Sequence, residues 1–158
     1  MLIWLIRMTL LLEDYDLFVF DFDGVLTNNK VIVNQDGSES VLCSRSDGLA
    51  FDYLNLVNKS TLILSTETNG VVEARAKKLK SECIKASKNK VDDLRLYLTK
   101  NNFSSDRVIY VGNDLNDYHV MQFVGLSFCP ADSHQRIIDL ATYCLNTCGG
   151  NDGGRSIL

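Results

Sequence analysis

The sequence predicts an α/β protein of the Rossmann-like, doubly wound kind, a parallel sheet with helices on both faces. Three observations carry this. LFVFD (17–21), STLILS (60–65) and RVIYVG (107–112) are short continuous apolar runs, as expected of strands buried on both faces of a parallel sheet. Segments with apolar residues at helical spacing alternate with them, and this alternation implies crossover connections. Each run also ends in polar residues, at the strand ends where such sheets bind their ligands.

Taken in order, Leu17 to Asp21 is the first strand. Lys30 to Val33 and Ser40 to Cys43 flank Asn34-Gln35-Asp36-Gly37, and Asp-Gly between two β-prone runs signals a hairpin. Gly48 to Val57 reads as a helix with Leu49, Phe51, Leu54, Leu56 and Val57 as its apolar residues. The second strand, Ser60 to Ser65, precedes a helix from Asn69 to Leu79 with Val71, Val72, Ala76 and Leu79 inward. Another amphipathic helix runs from Val91 to Leu98. After the third strand, Arg107 to Gly112, come a helix from Asp117 to Val124 and short strands at Ser127–Cys129 and Tyr143–Leu145. The last two flank a helix from Ser133 to Ala141.

The chain of 158 residues, 46% hydrophobic and with a single proline, suits one domain with one core and no linker. The expected organisation is an N-terminal extension over 1–14, a core over 15–148 that includes the hairpin 30–43, and a glycine-rich tail over 149–158. A net charge of −4 without a dense basic run argues against a nucleic-acid partner. The apolar start, MLIWLIRMTLLL, is interrupted by Arg7 and falls short of the roughly 20 residues needed to cross a bilayer. It reads either as an extra packed segment or as a stretch upstream of an initiator at Met8. Five cysteines, with no second pair to complete a zinc site, read as reduced thiols of a cytoplasmic protein.

The polar residues at the strand ends are Asp21 and Asp23, Ser65 and Thr66, and Asn113 and Asp114. Two carboxylates two residues apart repel, and a divalent cation between them relieves the repulsion. One can then serve as a nucleophile and the other as a general acid and base. The same spacing also occurs in solvated turns and simple calcium loops. His119 and His134 lack companions at ligand spacing and read as surface or capping residues.

The longer string DFDGVLT (21–27), after an apolar strand, resembles the first motif of the haloacid dehalogenase superfamily of phosphatases. Ser65, at the end of LILS, resembles the second motif, Lys90, opening a helix after Asn89, the third, and GNDLND (112–117) the fourth. The resemblance spans roughly residues 15 to 158. It implies that Asp21 attacks the phosphoryl group, that Asp23 moves the proton, and that Ser65 and Lys90 bind the phosphoryl oxygens and hold the nucleophile. It implies Mg²⁺ held by Asp21, by the backbone carbonyl of Asp23 and by the loop of Asn113 and Asp114, with Asp117 behind them. Many relatives carry Asp where this chain has Asn113. That departure leaves open a tolerated variant, weakened metal affinity, or lost catalysis.

The gaps between motifs hold only a hairpin and one helix, so the fold is expected to be capless. The hairpin and Arg45-Ser46-Asp47-Gly48-Leu49 resemble the small branch that dephosphorylates 3-deoxy sugar acids. In that branch the hairpins of four subunits form a barrel, and a glycine-rich tail reaches a neighbour's site. The resemblance therefore implies a homotetramer acting on a phosphorylated sugar acid, without membrane or nucleic-acid partners. The tail CGGNDGGRSIL would bring Arg155, a forked donor for carboxylate or phosphate, or would simply be a loose terminus. Ser65-Thr66-Glu67 is similar to the string in enzymes acting on nine-carbon sialic-type acids, and in the phosphatase-like domain of some sialic acid cytidylyltransferases. That favours a nonulosonate 9-phosphate, with 3-deoxy-D-manno-octulosonate 8-phosphate as runner-up and a weakly catalytic oligomerisation domain as rival. Glu67 would accept from sugar hydroxyls. Arg75 and Lys78, three apart and so on one helix face, would hold the anionic end or form a solvated face. Asp47 would line the site or cap the next helix.

Overall fold

A computed structural model describes residues 13–151. The first twelve residues and the tail from 152 onward, with Arg155, lie outside the described residues. Six strands form one parallel sheet: β1 (Leu17–Phe20), β4 (Ser60–Leu64), β5 (Glu82–Ile84), β6 (Val108–Val111), β7 (Leu126–Cys129) and β8 (Tyr143–Cys144), in the order β5-β4-β1-β6-β7-β8. The remaining two, β2 (Thr27–Val33) and β3 (Glu39–Cys43), pair antiparallel as a separate hairpin. Its turn closes through Asn34 N–H to Ser38 O and Gly37 N–H to Asn34 O, with Gly37 at φ +81°.

Alternation along β1 divides the interior into two layers. Phe18 and Phe20 face α1 (Asp47–Leu56) and α2 (Gly70–Leu79), where they pack with Phe51, Leu54, Val72, Ala76 and Leu79. Leu17 and Val19 face α3 (Lys90–Asn101), α4 (Tyr118–Phe123) and α5 (Gln135–Leu140), through Leu94, Leu98, Val120, Met121 and Ile137. Both faces are covered, so the sheet is doubly wound as the sequence predicts. From β1 the chain crosses to β4 and β5 on one side, then returns to β6, β7 and β8 on the other. The order reverses beside β1, which places the ligand crevice beyond its carboxyl end.

The helices start where local chemistry dictates. The Asn69 side chain accepts from Val71 N–H to open α2, and Asn89 accepts from Val91 and Asp92 N–H to open α3. His134 accepts from Arg136 N–H at the start of α5, which fulfils the capping expectation, and His119 is exposed beside Tyr118. α1 corrects one expectation. Its inward residues are Ala50, Phe51 and Leu54, while Leu49 and Leu56 are 65% and 78% exposed. Leu49 and Leu56 each lie two positions from an inward residue, and that step cannot stay on one face of a helix.

Between β1 and β4 the chain adds only β2, β3 and α1, and between β4 and α3 only α2 and β5. No cap domain is present among the described residues, and the crevice opens to solvent. All five cysteines are free thiols. No helix among the described residues is long and apolar enough to cross a membrane.

Candidate active site

Beyond β1, β4 and β6 lies a cavity of about 390 Å³ lined by Asp21, Asp23, Asn29, Ser65, Thr66, Asn113, Asp114 and Asn116. Six of these eight are residues the sequence singles out at strand ends. Asp21 extends the β1 ladder by donating its N–H to Val111 O at 2.9 Å. The chain then turns sharply, with Val25, Leu26 and Thr27 all donating back to Phe22 O. Gly24 makes this turn at φ +84°, and a Cβ there would meet the Asn113 amide at 1.9 Å. Thr27 Oγ1 accepts from Gly24 and Asn29 N–H and donates to Asp23 Oδ1, each at 3.2 Å. The first loop is therefore held from within by a single hydroxyl.

Behind the cavity floor sits a buried charge cluster. Lys90 Nζ lies 2.7 Å from both Asp21 Oδ1 and Asp117 Oδ1. Asp117 also accepts from Tyr110 Oη at 2.7 Å and from the N–H groups of Asn113 and Asp114 at 2.8 and 3.3 Å. With four donors satisfied and no exposure, Asp117 positions Lys90 and shapes the fourth loop; it does not face the cavity. Burial pushes the Asp21 carboxyl up to about 8, and the Asp117 charge adds to this, while Lys90 opposes it. The Lys90 ammonium is raised overall, because its two carboxylates outweigh the burial that would lower it. Asp23 is also raised, by burial first and by nearby Glu67, with the Thr27 hydroxyl opposing. A raised carboxyl facing a cavity suits proton transfer.

The side chain of Ser65, almost wholly buried, accepts from Glu67 N–H at 3.1 Å, which leaves its own proton to donate into the cavity. An Asn113 side-chain atom lies 2.8 Å from Asp23 O and 3.3 Å from Asp21 Oδ2. With the amide oxygen turned there, its spacings to the two other hard oxygens are close to the ~3 Å edge expected of ligands about 2.1 Å from an octahedral Mg²⁺. The donor set fits such a cation. Among the described residues no group of three or more His, Cys, Asp or Glu converges on a metal position, so a cation here would depend on this mixed set. Asp114 is exposed, and its Oδ1 caps Leu115 N–H at 2.7 Å, so it stands at the rim.

Four expected substrate contacts, Asp47, Glu67, Arg75 and Lys78, lie outside the cavity lining. Asp47 is fully buried at the first turn of α1, 3.7 Å from Arg75, and does not line the cavity. Arg75 is held by Asp47 and by a short hydrogen bond to Ser44 O. It ties α2 to the end of the hairpin, and the low dielectric around Asp47 strengthens the attraction between the two charges. Lys78 is exposed on α2 and also lies outside the cavity lining. Glu67 turns its Oε1 onto Thr68 and Asn69 N–H at 2.7 and 3.1 Å. Two lining residues escaped sequence reasoning, Asn29 and Asn116. The signal for Asn29 was its place two residues past Thr27, where it takes a left-handed φ of 59° that asparagine tolerates.

The root of the tail is part of the same assembly. Gly150 N–H donates to Val25 O at 3.0 Å and Gly149 N–H to Asp132 Oδ1 at 2.9 Å. A Cβ on Gly149 would meet Gly24 O at 2.0 Å, and one on Gly150, itself at φ +70°, would meet Asn28 N at 2.5 Å. These are backbone atoms and cannot swing aside. Gly149→Ala is therefore expected to shift the 24–28 loop and lower kcat by about ten-fold or more, as ångström-scale misplacement does, while Tm falls by only a few degrees. Unchanged kcat would show that the loop does not lean on the tail.

The family model for haloacid dehalogenase-like hydrolases matches residues 58–153. The 3-deoxy-D-manno-octulosonate 8-phosphate phosphatase of Salmonella typhi is 30% identical over 146 residues, covering 92% of this chain and 78% of that one. A haloacid dehalogenase family hydrolase structure from Streptomyces avermitilis superposes with a TM-score of 0.89 at 37% identity, covering 92% of this chain and 83% of that one. The Moraxella catarrhalis 3-deoxy-D-manno-octulosonate 8-phosphate phosphatase, solved with magnesium, phosphate and KDO, shares the fold with a TM-score of 0.89 at 24% identity, covering 93% of this chain and 85% of that one.

Fold and relatives thus define an α/β hydrolase of phosphoric monoesters with its cavity at the strand ends. The chain belongs to the haloacid dehalogenase-like hydrolases. Within them it is a capless phosphatase of the 3-deoxy-D-manno-octulosonate 8-phosphate phosphatase type, the branch that the hairpin and residues 45–49 resemble.

Proposed function

We propose that this chain is a Mg²⁺-dependent phosphatase of a 3-deoxy-2-keto sugar acid phosphate, working in the cytoplasm through an aspartyl phosphate on Asp21. The observation that carries it is the pairing of cavity-facing Asp21 and Asp23 in front of Lys90, which is itself locked by Asp117. Asp21 attacks phosphorus in line, the phosphorus–ester oxygen bond breaks, and the departing alkoxide takes a proton from Asp23. Water then gives its proton to Asp23 and attacks phosphorus, which frees inorganic phosphate and Asp21. Ser65 donates to the phosphoryl oxygens, and Lys90 fixes Asp21 and meets the growing charge. A divalent cation held by Asp21, Asp23 O and Asn113 would supply positive charge that keeps Asp21 ionised and neutralises the phosphoryl group.

The activity named for the relatives favours the eight-carbon 8-phosphate as substrate. One observation keeps the nine-carbon reading: Glu67 is near enough to raise Asp23, although its Oε1 is engaged with its own loop. The open crevice also calls for neighbouring subunits. Val31, Ile32, Val33 and Leu42 leave the hairpin apolar and exposed, Val33 and Leu42 by 64% and 66%, which supports assembly of several copies, a homotetramer, through this element.

The test is phosphate release with MgCl₂ from the eight-carbon 8-phosphate, nine-carbon 9-phosphates and an aryl phosphate. The sugar acids are expected to exceed the aryl ester in kcat/KM by about a hundred-fold or more, since only they can use remote binding energy. Silence across the panel in excess MgCl₂ would favour the non-catalytic oligomerisation domain.

A further inference from the structure

We propose that Asn113 is a latch on the cation site, and that it makes this chain hold divalent cations more weakly than an aspartate at the same position would. The proposal rests on the reading of Asp21, Asp23 O and Asn113 as a cation site. One arm of the Asn113 amide faces only acceptors, Asp23 O at 2.8 Å and Asp21 Oδ2 at 3.3 Å, and the other arm faces only donors. An amide has nitrogen on one arm and oxygen on the other. Without a cation a single orientation satisfies both sides, with nitrogen inward on the two acceptors and oxygen outward on the donors. Asn113 is only 7% exposed, so water cannot easily replace these bonds.

A cation requires the opposite orientation. The oxygen must turn inward, two hydrogen bonds are lost, and a buried NH₂ is left against donors. The side chain packs directly over Gly24 and is almost wholly buried, which favours turning in place. An aspartate meets no such conflict, since both of its arms are oxygens. One can face the cation while the other accepts from the donors, and its charge adds to the attraction. The cation-free state reverses the preference. A third carboxylate would then stand beside Asp21 in a cluster where Asp21 and Asp117 already share one Lys90.

The experiment compares wild type with Asn113→Asp, which keeps the side-chain shape, by calorimetric titration with MgCl₂ and by thermal unfolding in EDTA and in MgCl₂. The variant is expected to bind Mg²⁺ about ten-fold more tightly or better. Its Tm in EDTA falls by about 3 °C or more, and its gain in Tm on adding MgCl₂ exceeds that of wild type. In ¹⁵N spectra of wild type, the side-chain NH₂ pair that the variant lacks moves when MgCl₂ is added. Equal affinity with equal Tm in EDTA overturns the latch, as does an NH₂ pair unmoved at saturating Mg²⁺. Absence of Mg²⁺ binding in both proteins overturns the cation reading itself and the latch with it.

Discussion

Asp21→Asn is expected to lower phosphate release by a factor on the order of 10⁴ or more, as for other nucleophile deletions, and at the same time to leave the cation-free protein at least as stable. The two effects have one cause. The cluster beneath the cavity holds two carboxylates and one ammonium, so an ionised Asp21 is a surplus buried charge. Its carboxyl is raised from the usual 3.8 to about 8. A raised acid is bound to its proton more tightly in the folded state, so the associated stability is full below about pH 4 and is lost as pH rises through about 8. The amide has no proton to lose. The Tm of Asp21→Asn in EDTA is therefore expected to match wild type near pH 4 and to exceed it at pH 8. Lys90 keeps Asp117 as a partner, and the fold survives. Residual turnover would remove Asp21 from the nucleophile's place. A lower Tm at pH 8 would show that the Lys90 contact outweighs the surplus charge.

Lys90→Met acts in the opposite direction on stability. The ammonium is buried and contacts two carboxylates at 2.7 Å, and removing one member of a buried pair typically costs about 3–5 kcal/mol. That is a large share of the roughly 5–15 kcal/mol that holds an ordinary domain. In wild type the folded Lys90 is raised above its usual 10.5, so its contribution is complete below that value and constant through neutral pH. In the variant, Asp21 loses the group that restrains its upward shift. The deficit is largest at alkaline pH and narrows as the pH falls and Asp21 takes up a proton. Urea unfolding at pH 6 and pH 9 measures it, and turnover is lost at both. An equal deficit at the two pH values would mean that Lys90 acts through packing alone.

The legible parts of the molecule were those with a strong local pattern. Leu17 to Phe20 is continuous and apolar because the strand is buried on both faces, and that pattern marked both its place and the polar residues at its end. β5 went unread because Glu82–Ile84 is three residues long, lies at the sheet edge and shows no period. For the site, Asp21, Asp23, Ser65, Thr66, Asn113 and Asp114 were found because strand ends converge in this topology. The sequence leaves Asp47 between lining the site and capping a helix, and Arg75 between the anionic end and a solvated face, because a sequence shows charge but not burial. The two lie far apart in the chain, and only the packing of α1 against α2 brings them together. Asn29 and Asn116 carry no charge, and although both stand beside quoted motif residues, a neutral amide in a short polar stretch does not show which way it faces.

The contact between Gly149, Gly150 and residues 24–28 gives the loop that bears Asp23 a natural reporter. The Gly150 amide proton can exchange with solvent only when its bond to Val25 O opens, and that requires the strand-end loop and the chain that leans on it to part. Its exchange rate thus counts how often the loop that bears Asp23 comes loose. Anything that tightens the cavity, whether phosphate, a sugar acid or a divalent ion, should slow the clock of a hydrogen that touches none of them.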